Sequence, residues 1–332
     1  MLNYIIRRLM ISLVVIFCIA VTSFFVIQLP PGDFATTYKQ FLIQTAGLTE
    51  DRAEEMTKIV RAQYGLDQPI QVQFLTWIKG IVTEGKFGYS FAYRTDAGEI
   101  ILDRLPKTLM LALLAHFIST SVGIAAGVYA APRQYGLADN VLGVLAFILT
   151  SIPRFFLALV TLYVLVFVFR QHHITSFFSP EYAVAPWSWG KAVDLTMHVW
   201  PVILIAGLGG VARNMRVTRG NMLDVLNAKY VTTARAKGLS ERRVMNGHAV
   251  PNAMHPMVAY QGTAMPYMMQ GELEVAIVMG IPTLGPILYQ ALATQDVYLS
   301  GGALLMIATL IVLGNLLADI FLAVLDPRIR YS

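Results

Sequence analysis

The chain has 332 residues, 56% of them hydrophobic and only 14% charged, with a net charge of +5. An ordinary soluble domain carries about 25% charged residues, so this composition excludes a typical water-soluble protein and points to lipid as the solvent. The single cysteine, Cys18, excludes an internal disulfide.

Six apolar stretches are long enough to be read as membrane spans, each needing about 20 residues to cross a core of about 30 Å. The first, Leu9 to Leu29, ends in Pro30-Pro31-Gly32. Arg7 and Arg8 before an apolar run also resemble the start of a secretory signal, but such a run has about 7–15 residues and a small-x-small cleavage site. Residues 1–29 are therefore expected to be a retained N-terminal anchor helix. Residues 30–107 form an external region. In it Thr49 can cap a helix with Glu50 and Asp51 in its first turn. Glu54 and Lys58 stand four apart in the favourable order, and the helix should stop near Gly65. A second short helix is expected around Val72 to Val82.

Residues 108–332 carry five more spans, roughly Leu109 to Ala131, Val141 to Phe169, His198 to Ala212, Ala253 to Ile281 and Ala303 to Leu325. Ser119, Gly123, Gly127 and Ala131 make a small-xxx-small stripe along the second, which lets helices approach closely. Gly207-Leu208-Gly209-Gly210 in the fourth reads as helix packing too. The fourth span looks short. The fifth is too polar to be bathed in lipid all round, since it contains Gln261, Gln270, Glu272 and Glu274. Asn315 and Asp319, four apart on the last span, are expected to make interhelical hydrogen bonds. The fold class is thus an all-α integral membrane protein of six transmembrane helices, with a small external region between helices 1 and 2.

Lys and Arg placement sets the orientation. Residues 213–252 carry eight basic residues against two acidic ones, and six spans put them on the side of Arg7, Arg8, Arg133, Arg328 and Arg330. That side is expected to be cytoplasmic, with both termini inside. The region 30–107, with nine basic and ten acidic residues, lies opposite. Within the cytoplasmic loop, helix formers run up to Lys237, Gly238 can take the left-handed conformation that closes a helix, and Ser240 can cap a new helix with Glu241 in its first turn. Pro251 is expected near the end of that second helix. Such a basic helix can enforce topology, rest on anionic lipid or dock in a partner's groove.

The stretch Lys229 to Pro256 resembles the signature of transmembrane permease subunits of bacterial ABC importers. Ala234, Gly238 and Pro251 match the signature, and Val250 stands where leucine is usual. Thr232 and Thr233 replace the leading Glu-Ala pair, and His248 holds an apolar position. The stretch is closer to the dipeptide, oligopeptide and nickel permease family, of the first-permease (B-type) kind. Thr233 to Ser240, His248, Ala249, Asn252, Ala253 and Pro256 fit that form. The resemblance covers the whole chain, from Pro31-Gly32-Asp33 and Gly65-Leu66-Asp67 through Gly88-Tyr89-Ser90-Phe91, Arg104-Leu105-Pro106 and Ser151-Ile152-Pro153 to Glu274, Leu284-Gly285 and Asp326-Pro327-Arg328. Arg154 departs from it, standing where a small or apolar residue is usual.

The resemblance implies a complex in the bacterial inner membrane: a second homologous permease, two cytoplasmic ATPase subunits, and an external solute-binding protein that delivers cargo. The external region would then be either a plain cap over the pathway or a dock for that protein. A coupling helix near Ser240 would sit in a groove of an ATPase subunit, which points to Ala234, Arg235, Lys237, Gly238, Leu239, Ser240, Glu241 and Arg242. Peptides are the cargo implied first, with oligosaccharides or opines as alternatives. The resemblance implies that ATP and magnesium belong to the partner subunits; this chain has no G-x-x-x-x-G-K-[ST] loop to cradle phosphates. No nucleic acid is implied.

Intramembrane polar residues are candidates for function. Arg154, beside Pro153 in mid-span, could meet a carboxylate or phosphate on cargo or pair with Glu274. Glu274 and Gln270 are further candidates for the pathway or a gate. His172 and His173 lack evident ligand partners, and a bare pair rarely makes a metal site. An ion-coupled secondary transporter would also combine several spans with buried charges, but would work without ATPase partners. An intramembrane enzyme would need a nucleophile and base pair, and none is visible.

Overall fold

The structure, a computed structural model, describes residues 2–171 and 175–325. The His172–His173 pair and the terminal Asp326-Pro327-Arg328 lie outside the described residues. The chain divides into two compact units, one of residues 2–107 with 282–313 and one of residues 108–281 with 314 onward.

The first unit begins with α1 (Leu2–Ile27) and continues through α2 (Phe34–Gln44), α3 (Glu50–Tyr64) and α4 (Ile70–Glu84). Short strands β1 (Tyr89–Ser90) and β2 (Thr95–Asp96) pair antiparallel. Its core is aromatic, with Phe24 of α1 against Phe74 and Trp77 of α4. The Trp77 indole N–H donates to the Phe87 carbonyl at 2.8 Å, which satisfies the polar edge of a buried ring. Gly65 and Gly85 close α3 and α4 with φ of +66° and +69°, the left-handed cap that glycine adopts at least cost. Two local expectations fail. The Thr49 side chain makes no capping hydrogen bond, and Glu54 is held by Lys39 of α2 at 2.7 Å rather than by Lys58. A tertiary partner has displaced the weak pair within the helix, worth only a few tenths of a kcal/mol.

The second unit contains most of α5 (Ala97–Ala130), then α6 (Leu137–Ser151), α7 (Arg154–Tyr163) with a π turn over Val164–Val168, and α8 (Pro180–Ala183). Next come α9 (Trp189–Leu226), α10 (Lys229–Ala236), α11 (Glu241–Val244) and α12 (Val250–Met279). Helix α13 (Leu284–Ala293) and the first part of α14 (Val297–Leu325) belong to the first unit, and α14 from residue 314 belongs to the second. Leu111 and Ala115 of α5, Val202 of α9, and Val275 and Met279 of α12 belong to one buried core.

Among the described residues, four helices are long and apolar enough to cross a membrane, or six if each of two bent pairs counts as one span. The expected third span is one of these pairs: α6 and α7 meet at 92°. Ile152 is extended ahead of Pro153, as the proline ring demands of its predecessor. The other bent pair is the end of α12 followed by α13, and Gly280, at φ +68°, closes α12.

The expected fourth span, His198 to Ala212, is part of a much longer helix. The 38 residues of α9 extend about 57 Å at 1.5 Å each, so Arg213, Arg216 and Arg219 belong to a helix and not to a loop. Arg219 forms a two-pronged pair with buried Asp139 of α6, at 2.5 and 2.7 Å. The small-residue stripe packs on this helix. A Cβ on Gly123 would lie 2.7 Å from the Val211 carbonyl oxygen, and one on Gly127 2.7 Å from that of Met215. Gly207 and Gly210 of α9 face α5 in turn, as expected of helix packing, whereas Gly209 faces the Arg154 side chain.

Candidate functional site

Two neighbourhoods of the second unit hold the residues singled out from the sequence. The first is a polar cleft midway along α5, α9 and α12. Pro153 ends the extended link and starts α7 at Arg154, so this arginine stands at the corner of a bend rather than inside a straight span. Its guanidinium reaches into space kept open by glycine: a Cβ on Gly271 would lie 3.1 Å from Nη1 and one on Gly209 3.3 Å from Nη2. The expected Arg154–Glu274 pair is present but long, 4.0 Å from Nη1 to Oε2. Gln270 Nε2 donates to Glu274 Oε1 at 2.9 Å. Arg154, Gln270 and Glu274 are thus brought together.

Sequence reading missed the other half of this cleft, because it assigned Arg213 to the cytoplasmic loop. Arg213 lines the cleft together with Arg154, His116, Tyr260 and Tyr267. Its guanidinium carbon lies 3.9 Å from the centroid of the Tyr267 ring, a cation–π contact. Beside it the Thr120 hydroxyl donates to Gln261 Oε1 at 3.1 Å, and Gln261 Nε2 donates to Asn214 Oδ1 at 3.0 Å. This network ties α5, α12 and α9 together and accounts for the polarity of Gln261. The signal available in the sequence was spacing: Arg213 follows Gly209-Gly210 by less than one turn.

The second neighbourhood is the elbow after α10. Gly238 has φ +77°, the left-handed value expected of it. Ala234 is buried with Val231 and Val244 in a small apolar cluster against which Leu239 packs. Arg235 donates to both carboxylate oxygens of Glu241, from Nε at 3.1 Å and from Nη2 at 2.8 Å. That hydrogen bonding lowers the Glu241 carboxyl and raises the Arg235 guanidinium from their ordinary values. Lys237, Gly238, Ser240, Glu241 and Arg242 are exposed. Ala234 therefore supports the elbow from inside rather than presenting a surface.

Two expectations about this segment are corrected. Ser240 has the extended backbone of a cap but makes no side-chain capping bond, and Glu241 turns to Arg235 instead. Pro251 does not close a short second helix. From Glu241 the chain continues through α11, a π turn over Met245–Ala249 and α12 without interruption. Pro251 is therefore an interior proline, which lacks the N–H for a bond to the preceding turn and crowds its carbonyl, and the ladder widens into the π turn just ahead of it.

Residues 123–331 match the family described as "Binding-protein-dependent transport system inner membrane component". Residues 1–112 match the description "Binding-prot-dependent transport system membrane comp, N-term". Among curated proteins, the chain is 33% identical to the oligopeptide transport system permease protein AppB of Bacillus subtilis, with 99% of each chain covered. It is 31% identical to a probable peptide ABC transporter permease protein of Sinorhizobium fredii, again over 99% of each. A putative peptide permease protein of Brucella ovis is 31% identical over 100% of each.

Proposed function

The chain belongs to the family of binding-protein-dependent transport system inner membrane components, and from this premise we propose that it is the peptide-conducting permease subunit of an ATP-driven importer. The similarity to peptide permeases over essentially the whole chain carries this reading. A second homologous permease completes the pathway. Two cytoplasmic ATPase subunits hold ATP and magnesium, so hydrolysis occurs outside this chain. An external solute-binding protein selects and delivers the cargo. Both termini lie in the cytoplasm, on the side of the basic elbow.

The elbow at Gly238 is the contact with an ATPase subunit. Its exposed Arg235–Glu241 clasp and Arg242 stand on a small apolar cluster, which gives the surface a fixed shape. Arg154, Gln270 and Glu274 belong to the pathway. The coupling test uses Gly238→Val. A Cβ at Gly238 would meet nothing within 4 Å, so the substitution acts through the backbone, at a cost of about 1–2 kcal/mol for a left-handed non-glycine residue. The expected result is loss of ATPase subunits on co-purification, or loss of cargo-stimulated ATP hydrolysis, with membrane insertion unchanged. Wild-type attachment and wild-type transport in reconstituted vesicles would place coupling elsewhere in the chain.

A further inference from the structure

We propose that Arg154 and Arg213 form a carboxylate-binding station within the pathway, through which an anionic group of the passing cargo is held. The inference rests on the reading of the chain as a peptide permease. Both guanidinium groups line one cleft, midway along the helices that enclose it, and no Asp or Glu is among the lining residues. Glu274 offsets Arg154 only from 4.0 Å and is itself engaged by Gln270. Arg213 rests on the Tyr267 ring, and among the described residues no carboxylate lies within 4 Å of it. Positive charge at membrane depth is expensive and marks ion or substrate pathways. Here it is also deliberately accommodated, since Gly209 and Gly271 leave the space that the Arg154 guanidinium fills.

The cleft has about 40 Å³ of room, enough for about three water-sized groups and thus for the three heavy atoms of a carboxylate. It does not fit a whole peptide. Planar guanidinium forks match the two oxygens of a carboxylate. Every peptide with a free C-terminus carries such a group, so a station of this kind recognises peptides without regard to side chains. An acidic side chain would supply the same chemistry.

The test reconstitutes the full complex, with its binding protein and ATPase subunits, in vesicles. Uptake is followed by mass spectrometry for three tripeptide mixtures: free C-terminus without acidic residues, the same peptides amidated, and amidated peptides with one Asp or Glu. The comparison is each variant against wild type with the same binding protein, so the binding protein's own preference cancels. Arg154→Gln and Arg213→Gln should each reduce uptake of the free-acid mixture about tenfold relative to the amidated one, the loss expected for one charged hydrogen bond. Arg154→Lys and Arg213→Lys should restore much of it. A selective loss of the acidic amidated peptides instead would assign the station to side-chain carboxylates. An unchanged free-acid to amide ratio and unchanged uptake of acidic peptides, in variants that assemble normally, would overturn the proposal. So would a variant that fails to assemble with glutamine and also with lysine. Absence of ATP-dependent uptake of every mixture by the wild-type complex would instead refute the peptide reading.

Discussion

Asp33 shows how much one side chain organises in the first unit. It caps α2 by accepting from the Thr36 amide at 2.8 Å, and it receives Arg61 of α3 through both carboxylate oxygens at 2.9 and 3.0 Å. Burial alone would raise its carboxyl, but the hydrogen bonds from Arg61 and Thr36 outweigh it and hold the group below the usual carboxylate range. The fold therefore favours the ionised form. Its contribution is complete above the ordinary carboxylate value and is lost as pH falls through the lowered one. Asp33→Ala should cost about 1–2 kcal/mol, seen as faster hydrogen exchange of the α2 amides in the full chain at neutral pH. Wild type should approach the variant only in strong acid, and equal exchange rates at neutral pH would remove Asp33 from this role. Asp296 is the opposite case. It accepts from the Ser90 hydroxyl and the Phe91 amide, each at 2.8 Å, while burial raises its carboxyl despite these bonds. The glycine-tyrosine-serine-phenylalanine motif at residues 88–91 was visible in the sequence; its acidic anchor two hundred residues away was not.

The helices were legible wherever local chemistry ends them. The helix before Gly65 stops where expected and Gly238 takes the left-handed conformation expected of it, because that signal depends on neighbours in sequence. Boundaries drawn from hydropathy were less faithful. The α9 helix runs well past Ala212 because Arg219 finds Asp139 and Arg213 finds Tyr267, and these partners come from other helices. The same limit hid half of the polar cleft. Packing between α5 and α9 gives a sharp test. A Cβ on Gly123 would fall 2.5 Å from the Asn214 Cβ, whereas one on Gly143 would meet nothing within 4 Å. Gly123→Ala should destabilise by about 1–3 kcal/mol through overpacking, and Gly143→Ala should not destabilise, since alanine is the better helix former. Thermal unfolding of the detergent-solubilised chain distinguishes them, and equal midpoints would deny that this stripe is closely packed.

At the scale of the molecule, the sidedness assigned from charge has a direct check. With Cys18 replaced, a single cysteine at Thr49 should react with an impermeant reagent from outside intact cells, and one at Ser240 only after the membrane is opened. Reaction of both from the same side would overturn the arrangement. The unbroken helical run from Glu241 to Met279 gives that arrangement mechanical meaning. Arg242 at the elbow and Tyr267 at the cleft are 25 residues apart on one rod, about 37 Å at helical rise. A rod of this kind does not absorb displacement as a loop would. The π turn at Met245–Ala249 lies at the elbow end of this run. Tyr267 belongs to this run, whereas its stacking partner Arg213 belongs to α9. On the proposed coupling role of the elbow, a displacement carried along α12 would act on the contact between the Tyr267 ring and the Arg213 guanidinium of α9.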